Sequence, residues 1–291
     1  MERVFKLGIH WRQVFLTNSY VMDKKLGLVG LLFLLPALTI AQTYSKRFEE
    51  VFNRQDSAGQ RQLLAEWQAN KPLDADLQVA YFNFYKQRYE QEADSLIQEG
   101  LVSEAFSHID SGIKAFPNRL DMRFDRISLL WNLGNYSDYK ETILALLEQH
   151  DVIKDGWLWK NNSSLINATD FLLKYVDNYV VQLYNLDDES LHPYMDEIAN
   201  RVLISHPRHV PSLSNLAITA LYHEDYPTAI EHLTKALSIE AENTSVLSNL
   251  AFAYVQVGNT EKAIAYYEQM AKYGDSQTKA YAAEQLEKLV R

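Results

Sequence analysis

Apolar residues recur at three- and four-residue spacing through most of this chain, the period of helices that bury one face. Leu63, Leu64 and Trp67 share one side of a helix predicted over 60–68, and Pro72 breaks the chain after it. Leu77, Tyr81, Phe84, Tyr85 and Tyr89 follow at nearly the same period. Further helices are predicted from about 165 to 184, over 191–204, and over 279–290, the last with Ala282, Ala283, Leu286 and Leu289 opposite its charges. No segment alternates as a strand would, and no Gly/Pro/Ser-rich linker divides the chain. The pattern therefore predicts one continuous helical domain.

A longer period is superimposed on the helical one. Leu213-Ser214-Asn215-Leu216-Ala217 returns 34 residues later as Leu247-Ser248-Asn249-Leu250-Ala251, and Ala229-Ile230 as Ala263-Ile264. Ala217, Ala229, Ala236, Ala251 and Ala263 supply small side chains where two antiparallel helices approach closely, while Leu216, Leu233, Leu250 and Tyr267 fill packed positions. Gly258-Asn259 gives the turn between helices, since glycine tolerates positive φ.

In period and in these residues the chain resembles the tetratricopeptide repeat (TPR) family. Leu213 and Leu247 stand in place of that pattern's tryptophan, and Ala241 and Asp275 in place of its closing proline. The resemblance implies an all-α fold, a right-handed TPR-like superhelix of antiparallel helix pairs with a C-terminal capping helix at 278–291. It is strong over units 210–243 and 244–277. It is weaker at 176–209, which rests on Pro207, and moderate at 86–119 (Ala105, Pro117) and 120–153 (Gly134-Asn135-Tyr136), where Gly100 and Gly134 are again 34 apart. An insert at 154–175 separates the two phased blocks, so 42–291 reads as a single TPR-like domain.

Lys24 and Lys25 precede an apolar run at 26–40 that ends on Ala41, the pattern of a secretory signal cleaved before Gln42. At 15 residues the run is shorter than the roughly 20 of a spanning helix, which makes a retained anchor the lesser alternative. Trp11, Phe15 and Tyr20 are unusual ahead of a signal, and Met22 is the expected translation start. Residues 1–41 would be a signal region, and the mature protein periplasmic or secreted, as are many TPR proteins exported by Gram-negative bacteria.

Charge narrows the partners. Removing Glu2, Arg3, Lys6, Arg12, Asp23, Lys24 and Lys25 with the signal leaves 23 basic and 36 acidic residues, a net of −13. Such a surface repels phosphate backbones and anionic lipid, so neither nucleic acid nor stable membrane insertion is expected. The chain has no cysteine, which excludes disulfides, thiolate metal sites and a lipidated cysteine.

No reaction chemistry stands out. The eight histidines form no His-Glu-x-x-His pair. His206 and His209 flank Pro207 in an expected turn and read as solvated, and in His223-Glu224-Asp225 the aspartate is placed to cap a helix. The carboxylates of Asp187-Asp188-Glu189 suit a helix N-terminus better than a cation. No phosphate-cradling glycine run or nucleophile elbow is present. The expectation is a non-enzyme with no catalytic residue, no metal and no cofactor.

The resemblance implies that the first helix of each pair lines a concave groove, at Pro211, Ser214, Ile218, Leu221 and Tyr222, then Ser245, Ser248, Phe252, Val255 and Gln256. Of these, Ile218, Leu221, Tyr222, Phe252 and Val255 are the expected contacts for a protein or peptide partner. The lysine and asparagine set of carboxylate-clamping TPR modules is missing. A second copy of the chain, or its own N-terminal helices, is the alternative occupant. In the insert, Trp157 and Trp159 alternate onto one side, with Asn161 and Asn162 at the edge. They form either an aromatic platform, which would also suit a glycan or small ligand, or a plug sealing the junction between blocks.

Overall fold

The computed structural model describes residues 35–290, with side chains from Tyr44 onward. Met22, the basic residues and most of the apolar run of the expected signal lie outside the described residues, and α1 (Leu35–Asn53) runs through the end of that signal. Twelve further helices follow among the described residues: α2 (Ser57–Asn70), α3 (Ala75–Gln91), α4 (Ser95–Ala115), α5 (Leu120–Asn132), α6 (Tyr136–Ile153), α7 (Ala168–Tyr184), α8 (His192–Ser205), α9 (Val210–Tyr222), α10 (Tyr226–Ile239), α11 (Thr244–Gln256), α12 (Thr260–Tyr273) and α13 (Ser276–Val290). Short links make most consecutive helices neighbours, the exception being α6 and α7, which the link at 154–167 separates while α6 packs on α8; the chain is an all-α helical-repeat superhelix.

Local sequence starts and stops these helices. Asp56, Asp74, Asp94, Asn135, Asp225, Asn243 and Asn259 each accept a backbone N–H of the helix that follows, satisfying donors a helix cannot pair internally. The link inside a pair is built the same way three times. Gly134, Glu224 and Gly258 take positive φ (67°, 58° and 74°), and the next residue, Asn135, Asp225 or Asn259, caps the second helix. The second of these three links thus places a glutamate where the other two use glycine.

The pairs α5/α6, α9/α10 and α11/α12 fall within the expected units, and two other boundaries differ. The pair at the expected unit 86–119 is α3/α4, which starts at Ala75 and breaks at 92–94. Gly100 lies exposed inside α4, because Asp94 accepts from the amides of both Leu96 and Ile97 and opens that helix early. In the same way α7 starts at Ala168, before the expected unit 176–209, so the irregular link shrinks to 154–167. That link also holds a strand pair the pattern did not predict. β1 (Leu158–Trp159) runs antiparallel to β2 (Ser163–Ser164) around Asn161 and Asn162, both left-handed. Two-residue strands are too short for alternation to register.

The core is a chain of clusters rather than one centre, as stacked repeats require. Tyr44, Phe48, Leu64 and Trp67 join α1 and α2 to Leu77 and Phe84 of α3. Val79 and Phe82, on another face of α3, meet Ile109 of α4 and Met122 of α5. The largest cluster spans α5 to α8 and includes Tyr139, Ile143, Leu172, Val176 and Ile198. In the C-terminal repeats Ala217, Ala229, Ala236, Ala251 and Ala263 are all fully buried, and Ala282 of α13 covers the end of the stack.

Candidate binding surface

The expected groove residues divide by burial. Ser214, Leu221 and Ser248 are buried, and Leu221 belongs to the core with Ala217 and Leu233, so it presents no surface to a partner. Helical geometry turns that position under α10 rather than into the groove. Ile218, Tyr222, Phe252 and Val255 remain half-buried. Phe252 packs beside the Val210–Leu250 cluster and Val255 against the last one. The Tyr222 hydroxyl donates to Glu189 at 2.9 Å, and its ring stands edge-on to His192 at 4.5 Å. Neither α9 nor α11 contains a charged residue, whereas α10 and α12 carry charges of both signs.

Trp157 and Trp159 do not form a joint platform. Trp157 is fully buried, its indole donates to His150 Nδ1 at 3.0 Å, and the Arg123 guanidinium lies over the ring. It therefore cannot serve as a contact residue. Trp159 is half-buried and packs edge-on to Phe124 and Phe171. The reason is that the link is clamped from below by Arg119, itself fully buried. Arg119 donates twice to Asp121 (2.9 and 2.7 Å), once to Asp76 (2.6 Å) and once to the Asn162 side chain (3.2 Å), and Asn161 N reaches Asp76. Leu158 N donates to Asn118 O at 2.8 Å. The asparagines expected to serve a ligand hold the turn in place instead.

A richer aromatic surface lies beside Trp159. Phe124 of α5 stacks on Tyr175 of α7 with centroids 4.5 Å apart, and Phe171 and Tyr179 complete the group. Phe171, Tyr175 and Tyr179 stand four residues apart, one stripe of α7. That spacing was visible in the sequence, where it reads equally as core. Trp159, Phe171 and Tyr175 are half-buried, while Phe124 and Tyr179 are nearly covered.

Titratable groups elsewhere are perturbed by burial. His209 caps α9 and sits 3.6 Å from Asp177, so it is not the solvated turn residue expected. Burial pushes the imidazole down to about 4 and the Asp177 carboxyl up to about 7, which makes this a contact between neutral groups near pH 5.5. His192 Nδ1 lies 3.2 Å from His223 Nε2, and Asp196 accepts from Thr219. Asp188 caps the turn at Ser190, and Asp225 caps α10, each carboxylate held below its usual range by those hydrogen bonds. Among the described residues no group of three or more His, Asp or Glu could hold a metal, and no helix is long and apolar enough to cross a membrane.

Residues 220–286 match the family model described as tetratricopeptide repeat. No curated protein matches the chain. Among solved structures, PilW, a type IV pilus biogenesis factor, aligns at 12% identity over 83% of this chain and 98% of its own, with a TM-score of 0.39. YrrB, a TPR protein described as having an unusual peptide-binding site, aligns at 12% identity over 76% and 97%, with a TM-score of 0.43. A tetratricopeptide repeat protein from Parabacteroides merdae aligns at 12% over 86% and 89%, with a TM-score of 0.38. The match over 220–286 coincides with the 34-residue recurrence and the buried alanines of the C-terminal helix pairs, in a chain that folds as an all-α helical-repeat superhelix.

Proposed function

We propose that this chain is a non-catalytic scaffold of the cell envelope that binds a protein or peptide along its concave groove. The observation that carries the reading is the composition of α9 and α11. Both helices lack charge altogether, yet Ile218, Tyr222, Phe252 and Val255 on them keep accessible surface. Apolar side chains left accessible on adjacent uncharged helices form a surface that is ordinarily covered by another segment. A partner helix or extended segment supplies that cover, with burial contributing roughly 25 cal/mol per Å² before association costs. The acidic balance argues against nucleic acid, and the basic and apolar residues at 24–40 support export. The alternative of a glycan or small-ligand receptor built on Trp157 and Trp159 loses its support with the burial of Trp157.

A photo-crosslinking residue in place of Phe252, compared with one in place of the exposed Glu231 on α10, tests the reading in the native host. Adducts from position 252 to a different protein, absent at 231, are expected. Adducts only between copies of the chain would instead make it a homo-oligomer, and no adducts at 252 would sink the proposal.

A further inference from the structure

Helix pairs leave their links on two rims of the superhelix, and the two rims of this chain differ. The links between pairs, at 71–74, 116–119, 154–167 and 206–209, touch in turn with the helix ends beside them. Leu73, Phe116 and Asn162 line one open cavity of about 370 Å³, and Leu158 N donates to Asn118 O at 2.8 Å. Farther along, the His150 ring stacks on His206 at 5.9 Å, and Arg201 pairs with Asp151. On this rim Leu73, Val152, Ile166 and Ile204 are between 76% and 87% exposed. One exposed aliphatic side chain is ordinary, whereas four on connected links make a surface.

Charge separates in the same way. Lys71, Lys154, Lys160 and Arg208 outnumber Asp74, which caps α3, and Asp155 on these links. Lys154, Lys160 and Arg208 have no ion-pair partner among the described residues. The links inside the pairs, on the opposite rim, instead carry Asp56, Glu92, Asp94, Asp187 and Asp188 against Arg54. A helix of 14 residues, such as α2, holds the rims about 20 Å apart, over twice the roughly 8 Å across which physiological salt screens charge. The chain's excess of acidic residues therefore does not cancel the basic rim locally. The basic stretch ends at the next link, where Glu240 and Glu242 stand.

α1 brings an apolar stretch to the same rim. Tyr44 stacks on Trp67 at 5.5 Å and its hydroxyl donates to Glu66, near the end of α2. The part of α1 before Tyr44 thus continues past the 71–74 link, by about 13 Å at 1.5 Å per residue. The sequence leading into it, 26–34, consists of Leu, Val, Phe and Gly alone.

We propose that this rim rests on an anionic lipid surface, with Lys71, Lys154, Lys160 and Arg208 at the headgroups and Leu73, Val152, Ile166 and Ile204 dipping into the interface. The contact is interfacial, since no helix among the described residues could cross a membrane. It goes beyond the groove reading and is independent of it. A second copy meeting rim to rim would cover the aliphatic side chains but set like charges against each other.

The chain has no cysteine, so Ile166→Cys and, on the opposite rim, Leu96→Cys can each carry an environment-sensitive fluorophore on the full chain; Leu96 is 77% exposed and serves as the control. With vesicles of phosphatidylglycerol and phosphatidylcholine in equal parts, the probe at 166 should shift to the blue and the probe at 96 should not. Lys154→Gln, Lys160→Gln and Arg208→Gln together should raise the lipid concentration for half the shift by about tenfold, with helical content intact, because each charge near such a surface contributes severalfold. No shift at 166, equal shifts at 166 and 96, or a shift that the triple variant leaves unchanged overturns the proposal. So does a shift at 166 that appears without lipid as protein concentration rises, the mark of a second copy. Adducts from position 252 report on the groove alone, so the two readings fail separately.

Discussion

The indole of Trp157 donates a hydrogen bond to Nδ1 of His150 across 3.0 Å of buried space, tying the inserted link to the end of α6. The imidazole must be unprotonated at that nitrogen to accept. Burial, with the neighbouring His206 charge second, holds His150 below the ordinary imidazole range. The unfolded chain therefore takes up this proton first as pH falls. Stability is intact above about pH 6.5 and declines below it. His150→Gln is expected to reduce the loss of melting temperature between pH 7.5 and 5 without abolishing it, since His108, His192 and His209 are depressed in the same direction. An unchanged slope would mean His150 is solvated.

Asp177 works in the opposite sense. Its carboxyl keeps a proton in the fold up to about pH 7, whereas in the unfolded chain it ionises near 4. Stability held at low pH is lost as pH rises through that window. Asp177→Asn should raise the melting temperature at pH 8 and leave it nearly unchanged at pH 4.

Removing Trp157 tests the plug directly. Trp157→Ala should cost about 3–5 kcal/mol in chemical denaturation, as for large aromatics lost from a core. Trp159→Ala, at a half-buried position, should cost clearly less. Equal and small effects would return both residues to the surface.

Arg119→Ala strands two carboxylates, Asp76 and Asp121, at the base of the hairpin. A loss of about 3–5 kcal/mol is expected. Hydrogen exchange should rise first in 157–164, because Asn162 and the Asp76 contact to Asn161 depend on the same network.

Glu224 occupies the left-handed turn position that Gly134 fills in α5/α6 and Gly258 in α11/α12. Glu224→Gly should stabilise by about 1 kcal/mol, read as a higher denaturation midpoint at constant slope. The reverse change, Gly258→Glu, should destabilise by a similar amount. Adjacent repeats thereby control for each other.

By itself the sequence determined the helices, their 34-residue recurrence and the small residues at their crossings. Those features rest on local spacing: Ala229 and Ala263 had to be small wherever the stack pointed, and Asp225 and Asn259 had to cap wherever the helices lay. It also displayed the lack of charge on α9 and α11. Tertiary structure alone decided which apolar residues are covered. Leu221 and Tyr222 are adjacent, yet one enters the core and the other reaches Glu189. Trp157 and Trp159 alternate onto one side in the sequence, yet Trp157 is buried against His150 and Arg123 while Trp159 stays half-buried beside Phe124 and Phe171. Arg119 is held by Asp121 of α5 and Asp76 of α3 together, a contact between elements that spacing along a single helix does not encode.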